Sequence, residues 1–569
     1  MTTPPRRLRS SVEAVVRRAR DLAPRRSDWT HAHPTRDAGA GLMVGLVALP
    51  LALGFGVSSG MGAGAGLVTA IVAGATAAVF GGSRVQVSGP TGAMTVVLVP
   101  IIASHGPEGV LVVGLLAGVI LVALGIAGAG KVIRYVPVPV VEGFTLGIAV
   151  IILLQQLPAA LGVPVRADTV VALAFRSVRA WSAGPHLTPL LVTLGVVAVV
   201  LLVARLRPAL PGSLIAVAAA TAGSTMFDWH VTPVGAIPVG LPAPSLPGIP
   251  VGDLGGLVLP AVAVAALAAL ESLLSATVAD GMSVGQRHDS DRELVGQGLA
   301  NLAAPLFGGI PATAAIARTA VNVRSGATSR LAASLHALLL LLVAVAASRW
   351  VADIPIAALA GVLVATALQM VKVSSLRALL RATRGDAAVL VVTATATVAV
   401  DLVTAVLLGL VVAGFFALQE TARTARLDEM PLPPGDHTDE EQSLLDEHIV
   451  VFRIDGPLFF AAAHDFLLEL AEVGDVRVVV LRMSRVTTID ATGASVLADI
   501  IGRLERRGTT VLLSGVQSQH ERVLTELGVY AGLADERHLF ATTPEAIEHA
   551  RLHARRLDHA GWRTAGPER

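Results

Sequence analysis

Two short apolar stretches hold the residues of this chain best suited to chemistry, one opening at Ser88-Gly89-Pro90-Thr91-Gly92-Ala93-Met94 and the other at Gly309-Ile310-Pro311-Ala312-Thr313-Ala314-Ala315. Proline suits the first turn of a helix, where its missing N–H leaves nothing unsatisfied, so helix starts are predicted at Pro90 and Pro311. The small residues Thr91, Gly92 and Ala93 in one stretch, and Ala314 and Ala315 in the other, let an anion approach the free N–H groups of such a start. Thr91 adds a hydroxyl donor. Arg318 follows about one turn into the second helix, and a guanidinium among apolar residues is costly unless it meets a water-filled cavity or an anion. Its planar fork of donors and fixed charge complement both helix starts. The chemistry expected is reversible binding of a small anion, with no covalent step, metal or cofactor. Each feature also has a structural account: small residues let helices pack closely in a membrane, and Arg318 suits an ion pair with Glu271 or Glu142.

Glu271 is the one charged residue between Leu254 and Ala279. Loss of water favours the neutral form of a carboxyl, which makes Glu271 a candidate for binding and releasing a proton inside the membrane. Ser275, four residues on, shares its helix face and could help hold a cation or the protonated acid. The alternative is a permanent salt bridge. Glu293, Gln297 and Asn301 recur every four residues and so line one face of a helix, a stripe that predicts bridging between neighbouring helices.

Composition says where the elements holding these residues lie. Hydrophobic residues make up 53% of the chain and charged residues 15%, so a water-facing surface cannot be built for all of it and much of it faces lipid. Ala38 to Ser83 carries no charge, room for two spans, and apolar blocks recur as far as Ala417, about fourteen segments in all. From Pro90 to Ala103 there are too few residues to cross roughly 30 Å of hydrocarbon at about 1.5 Å per residue. Such a segment meets something other than lipid, as the broken helices of secondary transporters do. Val136-Pro137-Val138-Pro139-Val140-Val141-Glu142-Gly143 echoes Ile354-Pro355-Ile356-Ala357-Ala358-Leu359-Ala360-Gly361, each at a comparable distance after its own short helix. That echo predicts an internal repeat, inverted if each half holds an odd number of spans. Nine arginines between Arg6 and Arg36 place the N-terminus in the cytoplasm, and an even number of spans returns the C-terminus there. Cysteine is absent, so no disulfide forms.

Composition changes after Gln419. The organisation expected is a basic segment over 1–37, a membrane domain over 38–420, a polar linker over 421–447, a soluble α/β domain over 448–555 and a tail over 556–569. In the soluble domain, strands are predicted at His448 to Ile454, Val476 to Leu481 and Thr510 to Leu513, with helices around Ala463 to Val473, Thr492 to Arg507 and Gln517 to Leu527.

Four runs resemble the SulP family of anion transporters: Gly89-Pro90-Thr91-Gly92-Ala93-Met94, the stretch from Glu271-Ser272-Leu273-Leu274-Ser275 to Asp280-Gly281-Met282, that from Glu293-Leu294-Val295-Gly296-Gln297 to Asn301, and that from Ile310-Pro311-Ala312-Thr313 to Arg318-Thr319-Ala320-Val321-Asn322. Thr488-Ile489-Asp490-Ala491-Thr492-Gly493-Ala494 resembles that family's STAS domain. The resemblance implies an all-α membrane domain of the uracil/xanthine permease-like fold, with fourteen spans in two inverted seven-span repeats, two half-helices, and a gate packed against a core. It further implies an anion site between the third and tenth spans, a soluble α/β STAS domain and a homodimer. The family usually has glycine at the position of Ala314, which narrows the site here. Acidic residues are common there at the position of Glu271, which suggests proton rather than sodium coupling.

The function expected is secondary active transport of a small anion, sulfate, bicarbonate or a related one, across the cell membrane by proton-coupled symport or by exchange. Its partners are then the anion, a proton in preference to sodium, the lipid bilayer and a second copy of the chain, with no nucleic acid. Transport of a small dicarboxylate and an uncoupled anion channel are the alternatives within transport. A membrane-tethered STAS signalling scaffold is the alternative outside it. Soluble relatives of that fold carry a serine after the motif aspartate that is phosphorylated; here that position is Ala491, with Thr492 expected to cap a helix. Nucleobase permeation, known for the same fold class, is weakened by the charge of Arg318. No enzyme activity is expected.

Overall fold

The computed structural model of this chain describes residues 22–25, 29, 33–131, 136–167, 169–208, 210–248, 254–283, 287–400, 402–423, 426–429, 448–458, 476–533, 535 and 538–559. Most of the arginine-rich start, and the helix expected at Ala463 to Val473, lie outside the described residues. The chain divides into two compact units, Met1–Val411 and Val412–Arg569.

The first unit is built from apolar helices, the last of which runs on past the boundary at Val411. In chain order they are α1 (Pro34–Ser59), α2 (Ala63–Phe80), α3 (Gly92–Ala127), α4 (Val138–Gln155), α5 (Leu157–Leu161), α6 (Val170–Ala183), α7 (Leu187–Leu206), α8 (Gly212–Met226), α9 (Leu254–Met282), α10 (Ser290–Leu306), α11 (Ile316–Arg324), α12 (Arg330–Ala346), α13 (Ser348–Ala352), α14 (Ile356–Met370), α15 (Val373–Ala382), α16 (Arg384–Ala399) and α17 (Leu402–Arg423). Among the described residues, eight helical stretches are long and apolar enough to cross a membrane. Helix α3 is broken at Gly106, where φ is 68°. Pro107 disfavours helical geometry at the residue before it, and glycine accepts positive φ without strain. The piece from Gly92 to the break is about 21 Å long, short of a full crossing, as expected for a half-helix.

The helices sort into two packed groups. One contains α1, α2, α3, α9, α10, α11 and α12; the other contains α4, α7, α8, α14 and α16, and α14 packs on α1 between them. Helix α1 begins at Pro34 and so takes in Arg36 and Asp37 ahead of the uncharged run. Asp37 is fully buried and accepts hydrogen bonds from the backbone N–H and hydroxyl of both Thr328 and Ser329 at the head of α12. Four donors compensate the lost hydration of that carboxylate, and they pin α1 to α12.

The two helix starts differ from the prediction. Pro90 precedes the cap residue Thr91 rather than opening α3, and α11 begins only at Ile316, five residues after Pro311. Extended backbone occupies the interval: β1 (Ser88–Gly89) pairs antiparallel with β2 (Thr313–Ala314), Ser88 opposite Ala314 and Gly89 opposite Thr313. Tertiary hydrogen bonds claim the backbone groups a helix would have used. Asn301 accepts from the Ala312 N–H at 2.8 Å and donates to the Ala312 carbonyl at 2.8 Å. Thr69 Oγ1 accepts from the Ile310 N–H at 2.7 Å and donates to the Ile310 carbonyl at 3.2 Å. A two-strand crossing thus brings both helix starts together.

The second unit is an α/β domain. Its sheet runs in the order β3 (Arg426–Glu429), β4 (Ile449–Leu458), β5 (Val478–Ile489), β6 (Thr510–Ser514) and β7 (Leu539–Phe540), with β3 antiparallel to β4 and the rest parallel. Parallel strands need cover on both faces. Helix α18 (Ala491–Arg506) and α19 (Ser518–Glu526) supply apolar side chains such as Leu497, Ile501 and Leu524 on one face, and α20 (Thr543–His559) supplies Ala546, Ala550 and Ala554 on the other. Two predictions are corrected here. The expected linker at 421–447 holds the last turn of α17 and the strand β3 before passing outside the described residues. Asp490, not Thr492, caps α18, accepting from the Gly493 N–H at 2.8 Å. The end of β4 fixes that choice, because the Asp490 N–H donates to the Leu458 carbonyl.

Candidate functional site

The crossing of β1 and β2 brings the predicted residues of both halves together. At the start of α3, Thr91 caps the helix by accepting from the Met94 N–H at 3.3 Å, which leaves the first N–H groups, on Gly92 and Ala93, outside the intrahelical ladder. Ala315 caps α11 with its backbone alone and donates its N–H to the Val87 carbonyl at 3.0 Å. Both ends contribute partial positive charge to the same region.

Arg318 bridges them. It sits in the first turn of α11, 2% exposed, and its Nη2 donates to the Pro90 carbonyl at 2.6 Å, just before α3. Its Nη1 has no hydrogen-bond partner, and among the described residues no ion pair joins it to a carboxylate. The proposed partner Glu142 instead accepts from the Ser375 hydroxyl at 3.0 Å, between α4 and α15. Arg318 is therefore a buried charge with donor capacity unused. Room for it comes from Gly89, where a Cβ would stand 2.6 Å from Arg318 Nη1.

Glu271, in the middle of α9, is half-buried and accepts from the Thr91 hydroxyl at 3.0 Å. Thr91 thus ties the cap of the first half-helix to the carboxyl in the middle of α9. Ser275 is separated from that carboxyl: its hydroxyl donates to Thr319 Oγ1 at 3.1 Å, and Thr319 also accepts from the Val87 N–H. Gly92 lies where α3 meets both α4 and α1: a Cβ would stand 2.3 Å from Ile152 Cδ1 and 3.2 Å from Phe55 Cε1. Its small size serves close packing. Ala93 and Ala314 are buried, and Ala314 directs its N–H toward Ser272 Oγ at 3.5 Å.

The stripe on α10 holds the crossing in place, as its periodicity predicts. Glu293 accepts from the N–H groups of Gly82 and Ser83 and from the side chains of Gln86 and Gln297, and Gln297 also donates to the Ser88 hydroxyl at 2.6 Å. Asn322, on α11, donates to the Val85 carbonyl at 2.7 Å. Sequence reasoning missed Gly89, the Pro90 carbonyl and Thr319, because each acts through a partner more than 200 positions away. An apolar cavity of about 350 Å³ flanks α9 beside Leu270 and Leu273, lined also by Leu124, Phe144 and Leu407; it offers an anion no donor. The arrangement around Thr91 and Arg318 does offer donors: a buried guanidinium and two helix N-termini, with the Glu271 carboxyl beside them.

Among known proteins, residues 35–393 match the Sulfate permease family and residues 444–546 match the STAS domain. The putative sulfate transporter YvdB of Bacillus subtilis is 35% identical over 504 residues, covering 87% of this chain and 94% of that protein. The bicarbonate transporter BicA of a Picosynechococcus species is 29% identical over 538 residues, covering 91% of this chain and 94% of that one. The solved structure of murine Slc26a9, an anion transporter in the inward-facing state, superposes with a TM-score of 0.80 at 20% identity over 92% of each chain, a likeness of fold.

Proposed function

The chain belongs to the sulfate permease family, and from that premise we propose that it is a secondary transporter of a small anion, sulfate or bicarbonate first, driven by a coupled proton. Arg318 carries this conclusion: a buried guanidinium with an unused Nη1, set at the crossing of two helix starts and without a carboxylate partner among the described residues. Names of the relatives support the choice of anions. Thr91, Gly92, Ala93, Ala314 and Ala315 form the walls of the proposed site, with Arg318 as its fixed charge and Glu271 as the proton carrier.

Charge bookkeeping supports a coupled mechanism. Each helix end supplies roughly half a positive charge, and Arg318 supplies a full one. With Glu271 ionised the site holds a net charge of about +1; with Glu271 protonated it holds about +2, better matched to a divalent anion. Proton and anion would then load together. Ser275, tied to Thr319, is left as a second-choice cation ligand that a sodium requirement would favour. The proposal further places the protein in the cell membrane with both ends cytoplasmic, from the arginine-rich start, and takes the working form as a homodimer. A signalling scaffold is disfavoured by Ala491, which offers no hydroxyl at the first position of α18.

Purified protein in proteoliposomes, offered labelled sulfate, bicarbonate, succinate and uracil in turn, is expected to accumulate sulfate or bicarbonate. Succinate in their place would move the assignment to dicarboxylates, and an anion current without accumulation would identify a channel. Uptake of uracil alone, or of nothing, would contradict the proposal.

A further inference from the structure

Three imidazoles meet in the second unit at a place transport does not use. His549 and His553 stand four residues apart on α20 and so share one of its faces, while His538 immediately precedes β7. Their ring centroids are 4.9 Å apart for His549 and His553, 5.1 Å for His538 and His553, and 5.7 Å for His538 and His549. One nitrogen from each ring lies within 4.8 Å of the other two.

His538 is the telling member. It is 3% exposed, and its Nδ1 has no hydrogen-bond partner. A buried polar atom left unpaired calls for an explanation. A neutral imidazole keeps a lone pair on one ring nitrogen for a ligand. Among the described residues no thiolate or carboxylate belongs to the cluster. Imidazole donors suit zinc, copper or nickel, whereas magnesium and calcium require oxygen.

The geometry points to a three-histidine site for a divalent transition metal, zinc foremost, formed by His538, His549 and His553. Zinc at about 2.0–2.1 Å from each nitrogen would set them roughly 3.3 Å apart in a tetrahedron, so rotation of the three side chains must close the cluster by an ångström or so. A water completes the fourth position. Bound metal would clip α20 to β7 at one edge of the sheet and so couple the last helix of the domain to transition-metal supply.

The test uses the full-length protein without a polyhistidine tag, purified in detergent, stripped with chelator and dialysed against graded Zn²⁺. One equivalent of zinc is expected to bind, and Co²⁺ in its place is expected to give the intense visible absorption of a tetrahedral site. His549→Ala/His553→Ala should weaken Zn²⁺ binding at least about tenfold and abolish that absorption, while the exposed control His186→Ala leaves both unchanged. Because replacing buried His538 risks the fold, the two half-buried helix positions decide the matter. Equal Zn²⁺ binding by wild type and the double variant, or a weak octahedral Co²⁺ spectrum in the wild type, would overturn the assignment.

Discussion

Arg318→Gln is expected to abolish anion uptake, or to weaken apparent affinity by about 10- to 100-fold, while leaving folded protein in the membrane. The magnitude follows from losing a charge-assisted hydrogen bond to the anion, about 1.5–3 kcal/mol. Folding should survive because, among the described residues, the guanidinium makes one hydrogen bond to the protein, to the Pro90 carbonyl at 2.6 Å. Arg318→Lys should restore uptake in part, since an ammonium keeps the charge but cannot span that carbonyl and an anion with one planar fork. Proteoliposome uptake over a range of anion concentrations, with thermal unfolding in detergent as the folding control, checks both variants. Unchanged affinity in Arg318→Gln would leave the guanidinium a structural role only.

Glu271→Gln should remove the response to an imposed proton gradient. The carboxyl accepts from the Thr91 hydroxyl at 3.0 Å and remains half-buried at the proposed anion site, so its charge state sets the field the anion meets. A glutamine mimics the protonated form and keeps an acceptor for Thr91. In the wild type, lowering external pH at fixed internal pH should accelerate uptake several-fold; in Glu271→Gln the rate should stay flat, with anion exchange retained because Arg318 and both helix starts are intact. A variant that responds to pH as the wild type does would refute coupling through this residue. A sodium requirement without any pH response would shift attention to Ser275 and Thr319, which are already hydrogen-bonded at 3.1 Å.

What the sequence discloses here depends on how local each cause is. The stripe of Glu293, Gln297 and Asn301 is legible because helical periodicity alone sets those side chains on one face, and all three reach the segments around β1 and β2. The short first helix is legible because too few residues follow Pro90 to cross a membrane; the break itself, at Gly106 ahead of Pro107, is seen only in the structure. The positions of Pro90 and Pro311 are misleading for the opposite reason. Proline does favour a helix start, but Asn301 and Thr69 capture the backbone of Ala312 and Ile310 from other helices, and extended geometry wins over the local preference. Thr492 and Asp490 are both good caps; the contact of Asp490 with Leu458 of β4 decides between them. Strands as short as β7, two residues long, carry no readable period. The partnership of Gly89 with Arg318 joins two halves of the chain across space, and nothing in either local sequence signals it.

The most direct test of an anion held between the two helix starts uses the absence of native cysteine. Ala315 caps α11, is half-buried, and differs from cysteine by one atom. In an Ala315→Cys protein reconstituted in liposomes, the rate of modification by a small thiol reagent is measured against rising sulfate and bicarbonate. The anion that is transported should slow modification, half-maximally at the concentration that half-saturates its uptake, and the added change Arg318→Gln should remove that protection. A modification rate indifferent to saturating concentrations of the transported anion would contradict a site at the crossing of the half-helices.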